Sequence, residues 1–282
     1  MMQPGQRVIF SDNGVLSDIT VQMSDPLERS FTVSINAAQD ALYIASSVPF
    51  NHKWFELGAQ KNDVVASVLV ELWNNSEWQP AVDILDYTSV NGKTFYRGGA
   101  IQFATDIETG GWTRERLSAD VTGIESLAIY EMYWMRMKWS TNLTASIPIV
   151  YIGNRFSEDI DLYAEYPDLN NASLKTAWEV GKTTWDEQHA LAADYIVQQL
   201  ISGSIIWDRG QIMDWLLFKP ASVHKTAEII YGGFGPQMAE NKKMARAAYE
   251  KSMDLKYFNV DKNGDGTASD YERLQTTQEM RR

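Results

Sequence analysis

Ala128-Ile129-Tyr130-Glu131-Met132-Tyr133-Trp134-Met135-Arg136-Met137-Lys138-Trp139 decides the fold of the first half of this chain. Its fine structure alternates. Tyr133, Met135, Met137 and Trp139 fall on one side of an extended chain, and Trp134, Arg136 and Lys138 fall on the other. A strand turns successive side chains to opposite faces, so the pattern predicts a strand with one face in a core.

Outward from it, further strands follow. Phe31–Ile35 alternates, and Val65–Trp73 sets Val68, Val70 and Leu72 on one face. Ala81–Tyr87 starts after Pro80, Gly98-Gly99 precedes Ala100–Phe103, and Ile147–Ile152 reads as the last strand. Asn91-Gly92 is the strongest hairpin signal, because both positions tolerate the positive φ of a tight turn. Short strands broken by Gly, Asn and Asp turns predict an antiparallel β-sandwich or jelly roll.

The character changes near Pro167–Asn171, after which Ala, Glu, Lys, Gln and Met dominate at helical spacing. Thr184 and Glu187 have capping-box spacing, so a helix is expected from there to about Ile201, stopped by Gly203. Pro220 suits the first turn of a second helix, to about Tyr231, ended by Gly232-Gly233. Pro236 opens a third, to about Lys256. The fold class expected is therefore α+β: a sandwich over 1–170 and a helical bundle over 171–282.

The bulk numbers agree. A length of 282 residues suits two domains, and 44% hydrophobic residues can fill two cores. There is no cysteine, which removes disulfides, thiolate metal sites and a cysteine nucleophile. Met1–Phe10 lacks an apolar stretch behind a basic start, so no signal peptide is expected. No stretch is apolar for long enough to span a bilayer, so no membrane partner is expected. A net charge of −12 argues against holding a nucleic-acid backbone, where Lys and Arg must neutralise phosphate. It does not argue against a wall that DNA slides past, since a like-charged surface repels DNA and would not hold it.

One motif carries chemistry. Asp261 to Glu272 has the spacing of a calcium loop. Calcium takes about six to eight hard oxygens in a flexible cage. Asp261, Asn263 and Asp265 offer side-chain oxygens at the first, third and fifth positions, and Thr267 offers its carbonyl at the seventh. Ser269 stands at the ninth and Glu272 at the twelfth, with Gly266 at the sharp turn. This resembles an EF-hand and implies a structural Ca2+ held by Asp261, Asn263, Asp265, Thr267, Ser269 and Glu272. The competing reading is a polar Asx-type turn.

Elsewhere the residues do not point to catalysis. The three histidines, His52, His189 and His224, sit in different elements, outside any zinc or serine-hydrolase signature. Asp106/Glu108 and Glu158/Asp159/Asp161 are local carboxylate groups, whereas a jelly-roll hydrolase acting on sugars needs two carboxylates facing across a cleft. Ten tryptophans raise an alternative, a carbohydrate- or host-binding sandwich on a helical stalk. It requires a row of exposed tryptophans on one sheet face.

Trp185-Asp186-Glu187-Gln188, Ala192-Ala193-Asp194-Tyr195-Ile196, Lys219-Pro220-Ala221 with Ala227-Glu228-Ile229-Ile230-Tyr231, and the helix around Tyr249 resemble the head–tail connector (adaptor) proteins of tailed bacteriophages. The segments Tyr151–Phe156 and Glu165–Leu169 are similar in style to virion proteins of this kind. The resemblance covers about 172–257. It implies an antiparallel helical bundle and a non-enzymatic virion protein in the phage neck, made in the host cytoplasm. The subunits would form a homo-oligomeric ring, commonly a dodecamer, docked on the portal and contacting tail or further neck proteins. DNA would pass through the channel without specific binding. The large β domain and the calcium-type loop depart from the family's usual short helical form.

Overall fold

A computed structural model describes residues 5–24, 30–105, 111–254, 260–269 and 272. The chain forms two compact units, Met1–Gly153 with Asn263–Thr267, and Asn154–Lys262 with Ala268–Arg282.

In the first unit the described residues form β1 (Gln6–Asp12), β2 (Val15–Asp18), α1 (Thr20–Ser24), β3 (Phe31–Val33), β4 (Ala41–Ser46), β5 (His52–Leu57) and β6 (Val68–Trp73). There follow β7 (Trp78–Pro80), β8 (Val82–Asp86), β9 (Gly99–Ala104), β10 (Arg114–Leu117), β11 (Tyr130–Trp139) and β12 (Ile147–Gly153). One sheet runs β2-β1-β4-β11-β6-β7 and the other β3-β12-β5-β9-β8, all antiparallel. β11 pairs with β4 through 133–137 on one edge and with β6 through 135–139 on the other. β10 pairs with the start of β11, on the same edge as β6.

The alternation in β11 sorts its residues as expected. Met135, Met137 and Trp139 enter the core with Val68, Val70 and Leu72 of β6, facing Phe55, Ile101, Phe103 and Ile149 of the second sheet. Trp112, fully buried, sets its ring edge-on to Phe50 at 5.1 Å, Phe103 at 6.0 Å and Tyr133 at 5.6 Å. Its indole N–H donates to the Trp134 carbonyl at 2.9 Å. An aromatic placed like this stabilises the core by about 3–5 kcal/mol relative to alanine.

Trp134 points the other way and is also buried, with Ile9, Tyr43, Trp73, Val121 and Ile124. The centre of the first sheet is therefore covered on both faces, and all six residues of β4 are buried. Asn91-Gly92 does form a tight turn, with φ of 53° and 76°. Val90 and Lys93 close it with two backbone hydrogen bonds of 3.2 and 3.1 Å. It joins no two long strands; it ends in the isolated Val90–Lys93 bridge.

The second unit contains α2 (Asp159–Glu165), α3 (Ala172–Trp178), α4 (Asp186–Ser202), α5 (Lys219–Gly233) and α6 (Ala239–Met253), with 3-10 turns at Pro167–Asn170, Arg209–Gln211, Trp215–Phe218 and Gly235–Met238. Its core gathers Leu162, Leu169, Trp185, Val223, Ala227, Ile230, Tyr231 and Ala245. Leu162 and Leu169 lie before the boundary expected from composition, near 170, so residues 154–170 belong to the helical unit.

α4 starts at Asp186 with Trp185 as its N-cap, and no side chain caps it. The Thr184–Glu187 box expected from spacing is not formed. Trp185 is fixed by its packing instead. Its backbone N–H donates to Asp159 at 3.1 Å and its indole N–H to the Leu169 carbonyl at 2.9 Å. Glu187 turns to Lys182, 2.9 Å away. The helix ends at Ser202 before Gly203, as the sequence indicates. The third expected helix begins later than Pro236, after a 3-10 turn over Gly235–Met238, and its expected end near Lys256 lies outside the described residues.

Candidate functional site

The calcium-type loop is approached through Val260, which bridges to Ile212. The Asp261 N–H donates to the Gln211 carbonyl at 2.9 Å, and the Gln211 amide donates to the Asp261 carbonyl at 2.6 Å. Asp261 is fully buried. Within the loop, Asn263 Oδ1 accepts from the Asp265 N–H at 2.9 Å, and the Asn263 amide donates to Asp265 Oδ2 at 2.8 Å. Asp265 Oδ1 accepts from the Thr267 N–H and hydroxyl at 2.9 and 2.8 Å. Partial burial raises the Asp265 pKa, but the hydrogen bonds from Thr267 and Asn263 outweigh it and hold the carboxyl below its ordinary range. Gly264 and Gly266 have φ of 81° and 83°, which a side chain disfavours.

Glu272 folds back on the loop. Its Oε1 accepts from the Lys262 N–H at 2.8 Å, and its Oε2 from the Ser269 N–H and hydroxyl at 2.8 and 2.7 Å. Ser269 Oγ accepts from the Glu272 N–H at 3.4 Å, so the two residues bond reciprocally, as in a capping box. The bonds thus draw Asn263, Asp265 and Thr267 together, and Ser269 with Glu272. Among the described residues, no group of three or more His, Asp or Glu side chains stands close enough to hold a metal. The donor set is all hard oxygen, which suits calcium chemically.

A buried polar cluster lies elsewhere, in the helical unit. Ser157 Oγ is 2.8 Å from His189 Nδ1 and 2.7 Å from Ser222 Oγ, and Thr226 Oγ1 is 3.3 Å from the same ring nitrogen. His189 Nε2 is 3.3 Å from Asp159 Oδ1. Asp159 also accepts from the Tyr163 hydroxyl at 2.6 Å. Beside it, Arg155 donates to Asp186 at 2.7 Å and to the Ser157 carbonyl at 2.8 Å. Burial pushes the His189 pKa below its ordinary value; Asp159 raises it in part and Arg155 lowers it further. Burial alone would raise Asp186, but Arg155 and a hydrogen bond from Thr184 hold it low.

These residue types also make hydrolase triads, but a nucleophilic serine must meet a substrate. Ser157, Ser222, Thr226 and His189 are each 0% exposed. The cluster joins the 154–158 segment, α2, α4 and α5 by hydrogen bonds. Sequence reading missed it because its members are scattered; only the unusual run of Ser, Asp and Glu at 157–161 hinted at it.

The remaining candidates take structural places. Asp161 pairs with Lys219 at 2.8 Å. His52 is buried, and burial with the nearby Lys53 charge pushes its pKa down to about 3. His224 Nδ1 lies 2.8 Å from the Tyr166 hydroxyl. Asn171 caps α3 by accepting from the Ser173 N–H at 2.8 Å. Asp106 and Glu108 lie outside the described residues. Of the ten tryptophans, Trp207 alone is exposed, at 60%. It lines a cavity of about 330 Å3 with Ile201, Ile205, Ile206, Gln211 and Lys262.

Fold and sites together define a two-unit α+β protein, an antiparallel sandwich followed by helices. No protein-family model matches the chain, and no curated protein or solved structure matches it either. Among the described residues no helix is long and apolar enough to cross a membrane.

Proposed function

We propose that the chain is a structural virion protein of a tailed bacteriophage, a head–tail connector (adaptor) that assembles with its own copies into a ring in the neck. The ring sits between the portal and the tail or further neck proteins and extends the DNA channel. It carries no catalytic step. The observation that supports this reading is where the resembling residues fall. Trp185, Ala192, Ala193 and Ile196 of the α4 region, Ala221, Ala227, Ile230 and Tyr231 of α5, and Tyr249 of α6 are all buried. These buried members of the resembling stretches line the seams by which three helices pack, whereas Tyr195 stands exposed, and the packing supports a helical-bundle reading. An excess of 37 acidic over 25 basic residues suits a wall that repels DNA and lets it pass.

The glycan-binding alternative asks for exposed tryptophans on a sheet face. Trp73, Trp112, Trp134 and Trp139 are buried and Trp78 on β7 is half-buried, so these tryptophans form no exposed row. The loop reading continues as a proposal within the first: Asp261, Asn263, Asp265, Thr267, Ser269 and Glu272 would hold Ca2+. The ion would add charge neutralisation and bracing near the C-terminus.

The test is native mass spectrometry with negative-stain microscopy on the purified chain, alone and with portal protein. Closed rings that cap a portal are expected. A chain that stays single at every concentration, ignores the portal and binds a sugar overturns the proposal.

A further inference from the structure

One buried side chain ties the start of the calcium-type loop to the turn that carries Trp207. Gln211 is 0% exposed and uses both ends of its amide. Its Oε1 accepts from the Trp207 N–H at 2.7 Å and the Asp208 N–H at 2.9 Å. Its Nε2 donates to the Asp261 carbonyl at 2.6 Å and to the Lys262 carbonyl at 3.4 Å. The main chain repeats the link: the Gln211 carbonyl accepts from the Asp261 N–H at 2.9 Å, and Ile212 bridges Val260. All these residues belong to the helical unit.

Both ends of the tie are built. Asp208 caps the Arg209–Gln211 3-10 turn by accepting from the Gly210 N–H at 2.8 Å. The Trp207 backbone is thereby held in place, while its ring is 60% exposed. At the other end, Asp261 is fully buried and stands at the first position of the loop. Its N–H and its carbonyl are both bonded to Gln211, 50 residues away in the chain. The position of the first ligand is therefore set from outside the loop.

We propose that Gln211 is the positioning residue of the loop: it presets Asp261 for Ca2+ and couples the loop to the Trp207 turn. The proposal rests on the calcium reading above, whose hard-oxygen donor set fits the ion. A group that orients a ligand from behind sets metal affinity, and its loss weakens binding by about ten- to a hundredfold. Gln211 does this through the main chain of Asp261 and leaves the carboxyl to the metal. The coupling is reciprocal. What steadies Asp261 steadies Trp207, so the one exposed indole reports the state of the loop.

The experiment titrates the full chain with Ca2+, reading heat by calorimetry and tryptophan emission in parallel. Wild type is compared with Trp207→Phe and Gln211→Met, and circular dichroism checks that each folds. Wild type is expected to bind with a change in emission, and Trp207→Phe to bind equally well without it. Gln211→Met keeps the side-chain length and loses both bonds. Its affinity should fall by about ten- to a hundredfold, and its emission should no longer follow Ca2+. Wild type that binds Ca2+ with unchanged Trp207 emission overturns the coupling, even if Gln211→Met fails to fold. Gln211→Met that binds as tightly as wild type overturns the positioning. Either result leaves the loop reading standing, whereas wild type that takes up no Ca2+ overturns both.

Discussion

The Ser157 hydroxyl lies 2.8 Å from Nδ1 of His189, across 32 residues of sequence and in a site closed to solvent. That contact ties two parts of the helical unit, because Ser157 belongs to the segment before α2 while His189 sits in the first turn of α4. The imidazole is neutral there, since burial penalises its charged form.

Acid should therefore loosen the helical unit. Unfolded histidine takes up a proton near pH ~6.5, and folded His189 resists it. Its pKa is lowered in the fold, so its contribution is present above about pH 6.5 and is lost as pH falls below that value, by up to about 1.4 kcal/mol per pH unit. His52, held near 3, acts in the same direction in the sandwich. Amide hydrogen exchange between pH ~7.5 and ~5.5 reads the two units separately. Protection in α4 and α5 should fall in wild type, and the slope should flatten in His189→Gln. A flat wild-type profile refutes the assignment.

Arg155→Ala removes the partner of Asp186 and a donor to the Ser157 carbonyl. The Arg155 side chain is 2% exposed and the Asp186 side chain 35%, so the stranded carboxylate is only partly rescued by water. A loss of about 2–4 kcal/mol is expected, read by urea unfolding. An unchanged midpoint would show the pair to be ornamental.

Two glycines test the two cores. A Cβ on Gly99 would sit 2.6 Å from the Tyr87 carbonyl oxygen, and one on Gly233 would sit 2.0 Å from the Trp178 ring. Trp178 is wedged edge-on against Trp185 and Phe234, each at 5.6 Å. Each Gly→Ala change should cost about 1–3 kcal/mol through forced displacement. Exchange should rise in β8 and β9 for Gly99→Ala and in α3 to α5 for Gly233→Ala. The opposite pattern would contradict the packing described.

Calcium binding to the loop would stabilise the fold by mass action, by about 2.7 kcal/mol when free Ca2+ exceeds Kd a hundredfold. Melting with millimolar Ca2+ against chelator measures it. Glu272→Gln should abolish the increment, since the twelfth position supplies both carboxylate oxygens in such loops. A melting temperature that ignores Ca2+ in wild type leaves a capping turn built on Ser269 and Glu272.

Strands that alternate apolar with more polar side chains were legible in the sequence. The Tyr133/Met135/Met137/Trp139 alternation and the Val68/Val70/Leu72 face reappear in the core between the sheets. β4 was not legible. Ala41–Ser46 is covered on both faces and so has no period to read. The start of α4 was misplaced by local spacing, because Trp185 answers to Asp159 and Leu169 and not to its neighbours. In the loop, the oxygens and the glycine turn could be read in order. That Glu272 accepts from Lys262 and Ser269 could not.

By itself, the order of residues determined the class: an antiparallel sandwich and then helices, with a hard-oxygen loop near the end. Those properties are local, set by side-chain period, turn chemistry and spacing. Tertiary structure alone decided which polar groups meet. Ser157, Asp159, His189 and the Ser222/Thr226 pair of α5 come from four separate pieces of the chain, and nothing in the spacing between those pieces marks them as partners. Burial brings them together, because each polar group taken out of water must find another.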